Sequence, residues 1–206
     1  MESVWQIEKI NLKHHIPLHL LVCILLLGIS PLLMGVANLS AEDTAKVLER
    51  YVALLGIILI IPVFLPEQDK NLRDLVYAKY RSASSVYLIR LLGNGCLLAL
   101  FLGGYLWMLR RGNCTFPTAA YFLGTYAEML FLGSIGLCCY GLFDHLVAGY
   151  MASMVYYITA LGSGPKYLKM FYPFSMSMGS YTEKFWLAAT AIALTGIGIF
   201  FRCRRK

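Results

Sequence analysis

The ionisable and sulfur-bearing side chains inside otherwise apolar sequence are where chemistry would be expected. Glu128 lies about a dozen residues into an apolar run over 116–143, near mid-bilayer depth, where a carboxylate is costly unless protonated, paired or turned to water. It is predicted to face the interior of a helix bundle, as a structural hydrogen-bonding group or on a substrate path. His15, His19 and Cys23 recur every four residues on one helical face, a spacing that would let a base activate a thiolate. An intramembrane thiol peptidase using Cys23 and His19 is one reading of that face, and polar groups at the membrane entrance of a first span is the plainer one. Arg90, Asp144 and His145 fall at the ends of apolar runs, where snorkelling or interface solvation accounts for them.

Two longer segments carry most of the remaining polar and aromatic character. Residues 66–85, PEQDKNLRDLVYAKYRSASS, set Leu72, Leu75, Val76 and Tyr80 at helical spacing, with Asp69, Lys70, Arg73, Asp74 and Lys79 as the polar surface. This is a short amphipathic helix, lying flat on headgroups or docking a soluble partner. Residues 162–184, GSGPKYLKMFYPFSMSMGSYTEK, are rich in aromatic residues and Met but broken by Pro165, Pro173 and Gly179. The segment is too apolar for a solvated loop. Short helices dipping partly into the outer leaflet, held by Tyr167, Phe171, Tyr172 and Phe174, would satisfy its backbone against neighbouring spans.

What must position these groups is legible in the composition. Of 206 residues, 59% are hydrophobic and 14% charged, against about a quarter charged in ordinary soluble domains. Apolar runs over 16–37, 51–65, 86–109, 116–143, 146–161 and 185–201 predict six transmembrane helices, with the amphipathic stretch 41–50 extending the second as one continuous helix. The first run follows a mixed polar segment with no clean small-residue cleavage pattern, so it is read as a span rather than a signal peptide. The fold expected is an all-α integral membrane domain over 1–206. Its cytoplasmic parts are the segment 1–15, the helix within 66–85 and the basic tail 202–206, and 162–184 is a partly re-entrant outer segment.

The net charge of +7 reports topology and lipid contact rather than nucleic-acid binding. Lys9, Lys13, the basic residues from Lys70 to Arg90 and the tail Arg202, Arg204, Arg205 and Lys206 outnumber those assigned outside, which are Lys46, Arg50, Arg110, Arg111, Lys166, Lys169 and Lys184. That bias puts both termini in the cytoplasm. Cys23, Cys96, Cys114, Cys138, Cys139 and Cys203 show no CxxC spacing and mostly sit in apolar runs, as small packing residues. Gly95, Ala99 and Gly103, and likewise Ala148 with Ala152 and Gly149 with Ser153, place small residues on one face, for close packing within the chain or for a dimer. The phosphate loop GxxxxGK[ST] and the HExxH and GxSxG motifs are absent from the sequence, so ATP chemistry would need a partner.

Glu67, then Leu72 with Leu75, then Ser82-Ala83-Ser84-Ser85, then Arg90 follow the order acidic residue, E-x(4)-L-x(2)-L helix, small and Ser stretch, basic residue. With the six spans and the aromatic outer segment, this order resembles the type-2 ATP-binding-cassette (ABC) export permeases over nearly the whole chain. The sequence departs from that pattern at Asn71, where the family often has Gly, and at Ala83, where it often has Pro. The resemblance implies a bacterial cell-membrane permease subunit that works as a homodimer or heterodimer. Each half would dock a coupling helix, here Glu67, Leu72, Arg73, Leu75, Val76, Tyr77 and Lys79, onto a separate ABC ATPase subunit holding ATP and Mg. The chain itself would carry no cofactor and no enzyme activity. The cargo implied is hydrophobic or amphipathic (a peptide, antibiotic or lipid), with Glu128, Tyr167, Phe171, Tyr172 and Phe174 on its path or gate. The alternatives are the thiol peptidase and a non-transporting accessory or immunity protein.

Overall fold

The computed structural model describes residues 11, 16–68 and 83–204. Among them there is no strand, and six helices are long and apolar enough to cross a membrane. These are α1 (Pro17–Met34), α2 (Ala41–Gln68), α3 (Ala83–Arg111), α4 (Thr118–Phe143), α5 (Leu146–Ser163) and α6 (Thr182–Arg204). The chain is thus a multi-pass membrane protein built as a helical bundle. The helices alternate in direction, so connectors 35–40, 112–117 and 164–181 gather at one end of the bundle, and residues 144–145 and the end of α6 at the other. We call these the triple-connector end and the C-terminal end.

Local sequence sets the helix ends. Pro17 opens α1, a position where its missing N–H costs nothing. Ser40 caps α2, its Oγ accepting from the Asp43 amide at 3.1 Å, with Glu42 and Asp43 against the positive end of the helix dipole. From there α2 changes hydrogen-bond register twice. A π-helical stretch, Leu48–Val52, interrupts it, and its last two turns, Ile61–Gln68, tighten to a 3-10 helix containing Pro62 and Pro66. The run is continuous from Ala41, so the stretch 41–50 is part of the span. α4 ends at Asp144, which takes the left-handed conformation at φ 55°.

α2 and α4 form the enclosed centre, while α1 lies outermost, with Leu18 and Leu32 turned outward as a lipid-facing helix requires. α4 touches α2, α3, α5 and α6. Its crossing with α2 is close enough that a Cβ on Gly56 would fall 2.1 Å from the Met129 carbonyl oxygen, and at its crossing with α6 a Cβ on Gly141 would fall 2.4 Å from the Gly198 carbonyl oxygen. Gly56→Ala is therefore expected to destabilise the bundle by about 1–3 kcal/mol through overpacking. Gly28→Ala on α1, where nothing lies within 4 Å, is the control. Thermal unfolding in detergent reads both, and equal midpoints would refute the α2–α4 contact.

Candidate functional site

At the triple-connector end one ammonium is shared by two buried carboxylates. Lys184 Nζ lies 2.8 Å from Glu49 Oε1 and 2.7 Å from Glu128 Oε2, and both glutamates are wholly enclosed. The three come from three helices. Glu49 sits in the π-helical stretch of α2, where the altered register sets its direction; Glu128 is well inside α4; Lys184 is in the first turn of α6. The cluster also binds connector 164–181. Glu49 accepts from the backbone amides of Met176 at 2.7 Å and Ser177 at 3.2 Å, and Lys184 donates to the Pro173 carbonyl. Around it, Glu128 Oε1 and the hydroxyls of Thr44, Thr125 and Ser175 are enclosed without a protein partner among the described residues. An enclosed group of this kind does not carry a large charge imbalance cheaply, so the three residues must be understood as one unit.

The connector itself is a single turn of helix, Pro165–Leu168, followed by 3-10 turns at Lys169–Phe171 and Met176–Met178. It divides the four aromatic residues predicted to act together. Tyr167 is 82% exposed and Phe171 faces outward, whereas Tyr172 and Phe174 are buried. The Phe174 ring packs edge-on against both Tyr157 and Tyr172, with centroids 5.7 Å apart in each pair. Tyr157 donates to the Arg50 carbonyl and Tyr156 to the Phe171 carbonyl. Burial pushes the Tyr172 phenol above its usual range. The inner pair thus lies with the ion cluster, and the outer pair does not.

A second cluster closes the C-terminal end. Arg90 turns inward, donating to Glu67 Oε1 at 2.6 Å and to the Val63 carbonyl at 3.4 Å, rather than snorkelling. Asp144 likewise takes the guanidinium of Arg202, whose other nitrogen reaches the Glu67 carbonyl at 3.3 Å. Arg202 lies over the rings of Phe64 and Tyr140, 5.8 and 5.7 Å from their centroids. One turn deeper, Asn94 donates to the Leu59 carbonyl at 2.7 Å. Glu67 and Arg90 are the two ends of the sequence pattern described above, and they meet. Leu72, Arg73, Leu75, Val76, Tyr77 and Lys79 lie outside the described residues.

Sequence reasoning passed over Glu49 and Lys184: Glu49 was not singled out, and Lys184 entered only as a basic residue outside the spans. The signal that would have found Lys184 is the need of Glu128 for a cation from another helix. Cys23 is fully enclosed and His19 half-buried on α1, while His15 lies outside the described residues. Among the described residues no His, Cys, Asp and Glu side chains gather in a group able to hold a metal ion. No family model, curated protein or solved structure matches the chain.

Proposed function

We propose that the chain is the membrane-spanning permease subunit of an ABC exporter, paired with a second permease subunit and with a separate ATPase that supplies ATP and Mg chemistry. One observation carries this reading: Glu67 at the end of α2 and Arg90, two turns into α3, form a buried ion pair at 2.6 Å that ties together the two helices flanking residues 69–82. A partner pushing on that segment would load α2 and α3 together, and through Arg202 also α6. In the proposed orientation the C-terminal end and both termini face the cytoplasm of a bacterial cell membrane, and connector 164–181 faces outward. The cargo class we propose, from the resemblance and the apolar composition of the spans, is hydrophobic or amphipathic. ATP-driven movement of the partner would then shift the balance between two arrangements of the bundle.

Tagged, full-length chain is expected to co-purify an ABC ATPase from its native host, and capture of no ATPase would remove the reading's main support. Reversing charge at Arg73 and Lys79 together is expected to abolish complex-dependent transport while leaving the bundle folded. Unimpaired transport would exclude segment 69–82 as the dock.

A further inference from the structure

We propose that the groove between α3 and α4 at the triple-connector end binds one anionic phospholipid. The groove encloses about 610 Å³. Its walls are apolar, with Leu106 on α3 facing Phe122 and Leu123 on α4 and Gly103 leaving room at the deep end. Its only polar linings, Arg110 and Thr118, both stand at the mouth, where α3 ends and α4 begins. From Arg110 down to Gly103 is roughly 10 Å along a helix, enough to seat the upper part of an acyl chain whose headgroup is at the rim.

The mouth suits a phosphate with no cation of its own. Arg110 is exposed and forms no ion pair among the described residues, and no Asp or Glu occurs anywhere from 103 to 127. Two exposed carboxylates at that end, Glu42 and Asp43, are already taken by Lys46 at 2.8 and 3.3 Å. Thr118 Oγ1 has no protein partner among the described residues. Thr118 is also the first residue of a 26-residue helix whose start, Pro117, supplies no side-chain cap, so the first backbone N–H groups there point toward an anion unopposed. A phosphatidylcholine brings a quaternary ammonium that opposes Arg110, whereas a phosphatidylglycerol does not. Arg111, one residue on, stacks on Trp107 with its guanidinium 4.2 Å from the ring centroid and does not line the groove.

That difference between neighbouring arginines makes the test. Purified full-length protein in detergent is titrated with phosphatidylglycerol or phosphatidylcholine of identical acyl chains, and bound lipid is counted by native mass spectrometry. One phosphatidylglycerol is expected to bind at least about fivefold more tightly than phosphatidylcholine, the preference one basic residue provides at a membrane surface. Arg110→Gln should erase the preference, Arg111→Gln, with the same net charge, should keep it, and Leu123→Trp should weaken both lipids by filling the groove. Equal binding of the two lipids overturns the proposal. So does an equal loss in both arginine variants, which would mean diffuse surface charge, or displacement of the lipid by millimolar inorganic phosphate, which would mean a site for free anion. Should Arg110→Gln fail to fold, unchanged lipid binding by Leu123→Trp overturns it alone. The inference is independent of whether the chain transports anything.

Discussion

Lys184→Met is expected to cost about 3–5 kcal/mol, because it removes the only cation that, among the described residues, is paired with the two enclosed carboxylates. Glu49 would keep the amides of Met176 and Ser177, but Glu128, whose other oxygen has no protein partner among the described residues, would lose the one bond its carboxylate makes to them. The loss would also free the Pro173 carbonyl, so connector 164–181 should open before the bundle does. Two measurements check this. The thermal midpoint in detergent should fall, and limited proteolysis should cut within 164–181 in the variant under conditions that leave the wild type intact. Adding Glu128→Gln to Lys184→Met should recover part of the loss, since a neutral amide does not need the ammonium. A variant with an unchanged midpoint and a resistant connector would show that the cluster does not hold the connector down.

The spans were legible because hydropathy is local: each run of apolar residues announces its own helix without reference to the others. The small-residue faces were legible for the same reason, and the described helices use them internally. Ser153 donates to the Leu132 carbonyl at 2.8 Å, a Cβ on Gly149 would come within 2.7 Å of the Gly136 oxygen, and Tyr126 donates to the Gly95 carbonyl at 3.3 Å. Partnership between charges was not legible. Glu49, Glu128 and Lys184 are far apart in sequence, and each alone has an innocent explanation at a span end or within a span. Nor does composition reveal hydrogen-bond register: the π-helical stretch that carries Glu49 has ordinary helical sequence, LERYV. The aromatic connector failed differently. Tyr167, Phe171, Tyr172 and Phe174 look equivalent as a list of types, but the 3-10 turn Lys169–Phe171 ends on an exposed Phe171, and only Tyr172 and Phe174, in the extended stretch after it, end up inside. An absolute direction across the membrane is likewise a property of charge bias in the sequence, and the bundle itself adds nothing to it.

Arg90→Met is the sharper test of what the C-terminal end does. By removing the Arg90 guanidinium from an enclosed Glu67 carboxylate it is expected to cost up to about 3–5 kcal/mol. Adding Glu67→Gln should cost less than the two single changes summed, with a coupling of about 0.5–3 kcal/mol for residues in direct contact. That result would establish a structural pair and nothing more. The permease proposal adds a second expectation. At temperatures well below the variant's midpoint, with the ATPase still bound, substrate moved per ATP hydrolysed should fall, because α2 and α3, the helices flanking residues 69–82, would no longer be tied together. Arg90→Lys keeps the charge and one donor and should restore most of the stability and most of the ratio. A folded Arg90→Met complex that keeps the wild-type ratio would mean that the pair only staples α2 to α3. Any force from the partner would then reach the bundle by another route, of which the Arg202 contacts to Asp144 and the Glu67 backbone are the next to test.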